Sequence, residues 1–233
     1  MANNTVPLDS PYYPYVKVIS GGLTFKGAEL IPYKILMYLL DLPDAAGHVP
    51  FASNDNPRAR LMRYLWNDGA RPLDGPLPTP EEKRSMLFDP DNPDLNTDED
   101  KARHPKGYRL FGQRVIGQSS IAAKTLLKCY ITKISENRKF EAAIGFAFEI
   151  WTNVNLESNT RTTAYDRTFA IEQCLHDALD GVNISGVGTV SFSRADNVYN
   201  GSEEIWTDST DVGRQVNFSI QWAEGGGEAI REY

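Results

Sequence analysis

The stretch Cys174–Gly181, CLHDALDG, places a thiol, an imidazole and two carboxylates close together in sequence. A thiol beside an imidazole could make a nucleophile with its base, and the same groups ligate metals. On an α-helix each residue turns by about 100°, so Cys174 and His176 point roughly 200° apart and cannot share a proton or a metal ion. His176 and Asp180 stand on one helical face and Cys174 and Asp177 on another, which leaves two unconnected pairs. The surrounding pattern is helical. Thr163-Ala-Tyr-Asp166 fits a capping box, and Ala164, Thr168, Ile171, Leu175, Ala178 and Leu179 recur at helical spacing until Gly181 supplies the residue after the C-cap. Arg167, Glu172, His176, Asp177 and Asp180 fall mostly on the other side. CLHDALDG is therefore expected to end an amphipathic helix lying on a sheet, with Cys174 near the apolar side and His176 and Asp180 solvated.

Other patterns give no catalytic set. The three histidines are His48, His104 and His176, and there is no HExxH, paired CxxC or Walker loop. Gly117-Gln-Ser119-Ser-Ile121 begins like a nucleophile elbow but lacks the closing glycine. Gly186-Val-Gly188 lacks the third glycine of a dinucleotide loop and precedes a strand, so it reads as a turn. Asp94-Leu-Asn96-Thr-Asp98 matches the start of a calcium loop, but Glu99 replaces the turn glycine and Pro105 the bidentate glutamate. Asp94–Asp100 is accordingly read as a solvated acidic loop, open at most to adventitious cations. No catalytic, cofactor-binding or metal-ligating residue is assigned, and the chain is expected not to be an enzyme. The alternative of a hydrolase using His176 or its neighbouring carboxylates lacks a base, orienter and nucleophile that can be assembled.

At 233 residues with 41% hydrophobic and 24% charged side chains, the chain can bury a substantial core. A net charge of −7 repels phosphate backbones and anionic surfaces, which disfavours nucleic acid as a partner. The longest apolar runs, Ile35–Leu40 and Ala142–Phe148, fall far short of a membrane span of ~20 residues. The first residues carry no signal-peptide pattern. Cys129 and Cys174 both lie on apolar-patterned segments and are expected to be buried, reduced thiols, which suits cytosolic assembly.

All 14 prolines lie between Pro7 and Pro105, so the chain has two compositional halves. Residues 1–27, with Tyr12, Tyr13 and Tyr15 among prolines, suggest an extended arm able to lie on a neighbour. Residues 28–107 read as a helical region. Pro32 opens KILMYLL, Asn56-Pro57 caps ARLMRYLW before a stop at Gly69, and Thr79-Pro-Glu-Glu82 is a capping box. Phe88–Lys106 reads as a long exposed loop. Residues 108–223 read as an α+β domain. Thr125–Ile134 and Phe140–Trp151 are expected to pair as an antiparallel hairpin turning at Ser135–Lys139. Tyr108–Ile116, Gly188–Ser193 and Gln215–Trp222 add further strands. Residues 224–233, with Gly225-Gly-Gly227, read as a flexible tail.

The order of TLLKCYITKI, FEAAIGFAFEIWTNV, YDRTFAIEQCLHDALDG, GTVSFSRA and QVNFSIQW resembles the tail-terminator or tail-completion proteins of tailed bacteriophages over Tyr108–Trp222. The resemblance implies an antiparallel sheet with a helix packed on one face. It also implies a homo-oligomeric ring at the junction of head and tail, formed in host cytoplasm and retained in the virion, with other tail or neck proteins as partners and no catalytic residues. The arm and helices of residues 1–107 depart from small members of that family, leaving a baseplate or sheath-attachment role as the alternative.

Overall fold

The computed structural model describes residues 27–43, 48–114, 124–138, 141–159, 166–192, 201–206 and 210–223. The arm before Gly27, the Gly117–Ile121 motif, Thr163 of the expected capping box and the glycine-rich tail lie outside them.

The helical starts follow their caps. A 3₁₀ turn, Ala28–Leu30, leads into α1 (Ile31–Leu40), with Pro32 in the first turn, where a missing amide proton costs no intrahelical bond. Asn56 caps α2 (Pro57–Trp66), its side chain accepting from the amides of Arg58 at 3.0 Å and Ala59 at 3.4 Å. The capping box of Thr79 and Glu82 opens α3 (Pro80–Ser85). The acidic loop holds more order than expected: Thr97 and Asp100 form a second capping box at the head of α4 (Asp98–Arg103). The box signal is present in the sequence with Asp in place of Glu or Gln.

The sheet is mixed rather than purely antiparallel, because β1 (Leu110–Phe111) pairs in parallel with β2 (Thr125–Arg138). Of the strand expected over Tyr108–Ile116, this short piece is what enters the sheet among the described residues, and positions 115 and 116 lie outside them. β2 and β3 (Glu141–Asn153) form the expected hairpin but run longer, so Ser135 lies within a strand and the turn moves beyond Arg138. α5 (Val154–Asn159) and α6 (Arg167–Leu179) follow. Then come β4 (Asn183–Ile184), β5 (Gly188–Ser191), β6 (Ser202–Trp206) and β7 (Asp211–Ala223). β7 lies antiparallel to β3 along the full length of both strands. Its other side is shared by β5 near Ile220 and β6 from Val212 to Val216. The β4–β5 turn has Gly186 and Gly188 at φ +69° and +108°, a conformation other residues resist, which explains GVG as a turn.

One face of the sheet is covered by α1, α2 and α6. Ile35, Leu36, Leu61, Leu65, Ile171 and Leu175 share a single buried cluster with Phe146, Phe148 and Phe218 of the strands. Helical region and sheet therefore fill one core, and the architecture is α+β. A smaller cluster of Tyr108, Phe111, Leu126 and Trp151, with Phe88 against it, fills the opposite face near β1.

Candidate functional site

CLHDALDG lies where the pattern placed it, at the end of α6, with Gly181 at φ +74° after the Asp180 C-cap. The helix starts later than expected, at Arg167, with Asp166 as N-cap. Its amide at Thr168 is instead met by the Glu157 carboxylate of α5, at 3.0 Å, which also accepts from the Thr168 hydroxyl at 2.6 Å. Cys174 is fully buried and its thiol is pushed up to about 12 by that burial. Cys129 is likewise buried and its thiol raised. Neither is a thiolate at neutral pH.

The solvated face expected for α6 is contradicted at three positions. Arg167 and Glu172 are buried, and the His176 side chain is only 18% exposed. The reason is tertiary: Arg214, near the start of β7 on the helix-covered face, lies 3.3 Å from Glu172, and His176 Nε2 lies 3.4 Å from the other Glu172 oxygen. Arg214 extends the network to Glu204 of β6 at 3.0 Å and to the Ser202 hydroxyl at 3.2 Å. Phe192 and Phe218 close on the imidazole, with ring centroids 4.0 and 5.4 Å away. Burial pushes the Glu172 carboxyl up, but His176, Ser202 and Arg214 outweigh it and the net displacement is downward. The Glu172 carboxylate, held between the Arg214 guanidinium and the His176 imidazole, fastens α6 to the β6–β7 edge. Asp180 is exposed as expected, and accepts from the Phe192 amide at 2.8 Å.

A second ionic cluster pins the helical region. Asp41, at φ +50° after α1, accepts from His48 Nε2 and from the Phe51 amide, both at 2.7 Å, and faces Arg58 at 3.1 Å. Its carbonyl receives the buried Lys83 ammonium at 3.1 Å. Burial lowers the Lys83 pKa, as do nearby Arg58 and Arg63, against the opposing pull of Asp41. Arg109 grips Asp68 with two bonds of 2.7 Å, tying the strand region to the end of α2.

The outer face of the hairpin carries the densest polar array. Glu149 accepts from the Tyr130 hydroxyl and from Trp151 Nε1 at 3.1 Å, and has Lys128 at 3.5 Å and Arg114 at 3.8 Å. Burial raises its carboxyl, but these four donors and charges more than reverse that and hold it ionised. The Tyr130 phenol is raised, by burial first and then by Glu149, so it stays protonated. Register assembles the set, since Lys128 opposes Glu149 on adjacent strands. The sequence showed Glu149 only as a residue of the polar face; counting back from the turn would not have paired it with Lys128, because register shifts between Ile131 and Lys133 and between Glu136 and Arg138 offset the strands.

Beside this array opens a cleft of about 530 Å³, lined by Glu29 and Pro32 on one side, Tyr130, Ile131 and Thr132 of β2 on the other, and Arg114. Among the described residues, β1 pairs with β2 only at Leu127 and Lys128, and Gly112, Gln113 and Arg114 line the cleft with Tyr130 and Ile131. Leu30 and Tyr33, next to the cleft, are 50% and 48% exposed, and Ile134 of β2 is 42% exposed. Apolar side chains exposed around a cleft mark a surface on which another chain can dock. We take this cleft and its apolar border as the candidate site; its chemistry is that of association.

Asp94–Asp100 does not converge on one point. Asp100 accepts from the Thr97 hydroxyl at 2.6 Å and from Asn92 at 3.2 Å, and so serves its own helix start. Among the described residues, no three His, Cys, Asp or Glu gather in a way that could hold a metal ion. No helix among them is long and apolar enough to cross a membrane. Comparisons with protein-family models, curated proteins and solved structures find no match to this chain.

Proposed function

We propose that the chain is a virion structural protein: a ring-forming tail-terminator, tail-completion or neck subunit that joins phage tail and head by protein contacts and turns over no substrate. The observation that carries the reading is the exposed apolar set Leu30, Tyr33 and Ile134 beside the cleft and β2, a strand that among the described residues pairs with β1 only at Leu127 and Lys128. Exposed apolar side chains grouped beside a cleft mark contact with other chains. The ionic clusters support the same reading. Glu149, Glu172 and Asp41 are each engaged by several partners, which stiffens a platform rather than leaving a base free to accept a proton. The element order that resembles tail terminators supports a place where tail and head meet, with assembly in host cytoplasm and the virion as destination.

Light scattering and negative-stain imaging of the purified protein test the proposal. Rings are expected at high concentration or with a neighbouring tail or neck protein. A monodisperse monomer at every concentration, binding no component of the particle, overturns it.

A further inference from the structure

We propose that the Arg167 guanidinium, at the junction of α2 and α6, holds a small monovalent anion of the halide class. Arg167 is the first residue of α6 and is fully buried. One nitrogen, Nη2, donates to the carbonyl of Asn67 just after α2. Nε and Nη1 are sealed from solvent and have no hydrogen-bond partner among the described residues. An arginine keeps its charge inside a protein, and a buried charge without a counter-charge is costly.

The carboxylates that could neutralise it are engaged elsewhere. Asp68 is gripped by both terminal nitrogens of Arg109 at 2.7 Å and has Lys106 at 3.9 Å. Glu157 accepts from the Thr168 amide at 3.0 Å and from its hydroxyl at 2.6 Å, and burial raises its carboxyl, which weakens it as a counter-charge. Among the described residues neither carboxylate forms an ion pair with Arg167. The helix ends do not settle the balance, since the C-terminus of α2 supplies about half a negative charge and the N-terminus of α6 about half a positive one. The polar side chains close by on α2 are donors. Tyr64 is fully buried within electrostatic reach of Arg167, and the Arg60 guanidinium reaches its hydroxyl. A guanidinium has no acceptor, and a phenol facing one keeps its own proton to give. Donors lacking an acceptor, beside one positive charge lacking a counter-charge, call for a ligand that only accepts and carries one negative charge. Because the unpartnered nitrogens expose no surface, that ligand is enclosed, which favours a halide over a phosphate ester or a peptide carboxylate.

The test uses crystals of the full chain soaked in sodium bromide, whose anomalous scattering marks the ion. A bromide peak against Nε or Nη1 of Arg167 is expected. In solution the urea midpoint is expected to rise as chloride replaces gluconate at constant ionic strength, and to rise less in Arg167→Met, which keeps an unbranched stem without the charge. A water on those nitrogens with no bromide signal, or a guanidinium turned to pair with Asp68 or Glu157, overturns the inference. So does a midpoint indifferent to chloride, or one that rises equally in Arg167→Met. Should that variant fail to fold, the bromide map and the chloride series of the unsubstituted chain decide the matter by themselves.

Discussion

Glu149 and Glu172 dominate the acid behaviour expected of single residues. Each has a folded-state pKa below its unfolded value, so each adds stability above the ordinary glutamate range and loses it as pH falls through the lowered value. Urea midpoints are therefore expected to fall on acidification from about pH 5 downward, and Glu149→Gln or Glu172→Gln to flatten that slope. Glu157 has the opposite sign, since burial raises it above its unfolded value, and its contribution weakens as pH rises through that value. Removing one member of a buried pair leaves the other uncompensated, so Arg214→Ala is expected to cost about 3 kcal/mol in urea denaturation. His176→Ala loses its contacts with Phe192 and Phe218 and is expected to lower stability while leaving ring formation unchanged. Loss of a measurable turnover in that variant, with folding intact, would favour the hydrolase alternative. Both thiols are expected to react with a disulfide reagent only after denaturation, because each is buried in the folded chain.

Elements were legible where their signals are local. The caps at Asn56 and Thr79 and the glycine after α6 rest on residues a few positions apart, and all three appear in the structure. The head of α6 was misread because its key group comes from another element. Glu157 satisfies the Thr168 amide across an interval that no capping box covers. Glu157→Ala is accordingly expected to cost about 1 kcal/mol, the loss typical of an N-cap, with the helix fraying from its start in amide exchange. The strands β4 and β6 were not foreseen. β6 reads SEEIW, whose strand character comes from pairing with Val212–Val216 rather than from alternation of its own.

On the scale of the molecule, one core under α1, α2 and α6 makes the helical region and the sheet interdependent. Circular dichroism and tryptophan fluorescence should report coincident unfolding, whereas two separated transitions would show that residues 28–107 fold apart from the sheet. The amino-acid sequence by itself determined the α+β class, the β2–β3 hairpin, the β7 pattern, the capped starts of α2 and α3, the proline-opened α1 and the burial of both cysteines. Those depend on periodicity and nearest-neighbour chemistry, which a linear chain displays. Only the tertiary structure decided that Arg167, Glu172 and His176 turn inward, that β1 joins in parallel, and that Lys128, Tyr130 and Trp151 converge on Glu149. It also ended the pairing of β1 with β2 at Lys128. Charges become buried, and pairings end, according to which distant segments arrive beside them. The spacing of residues along the chain does not encode that.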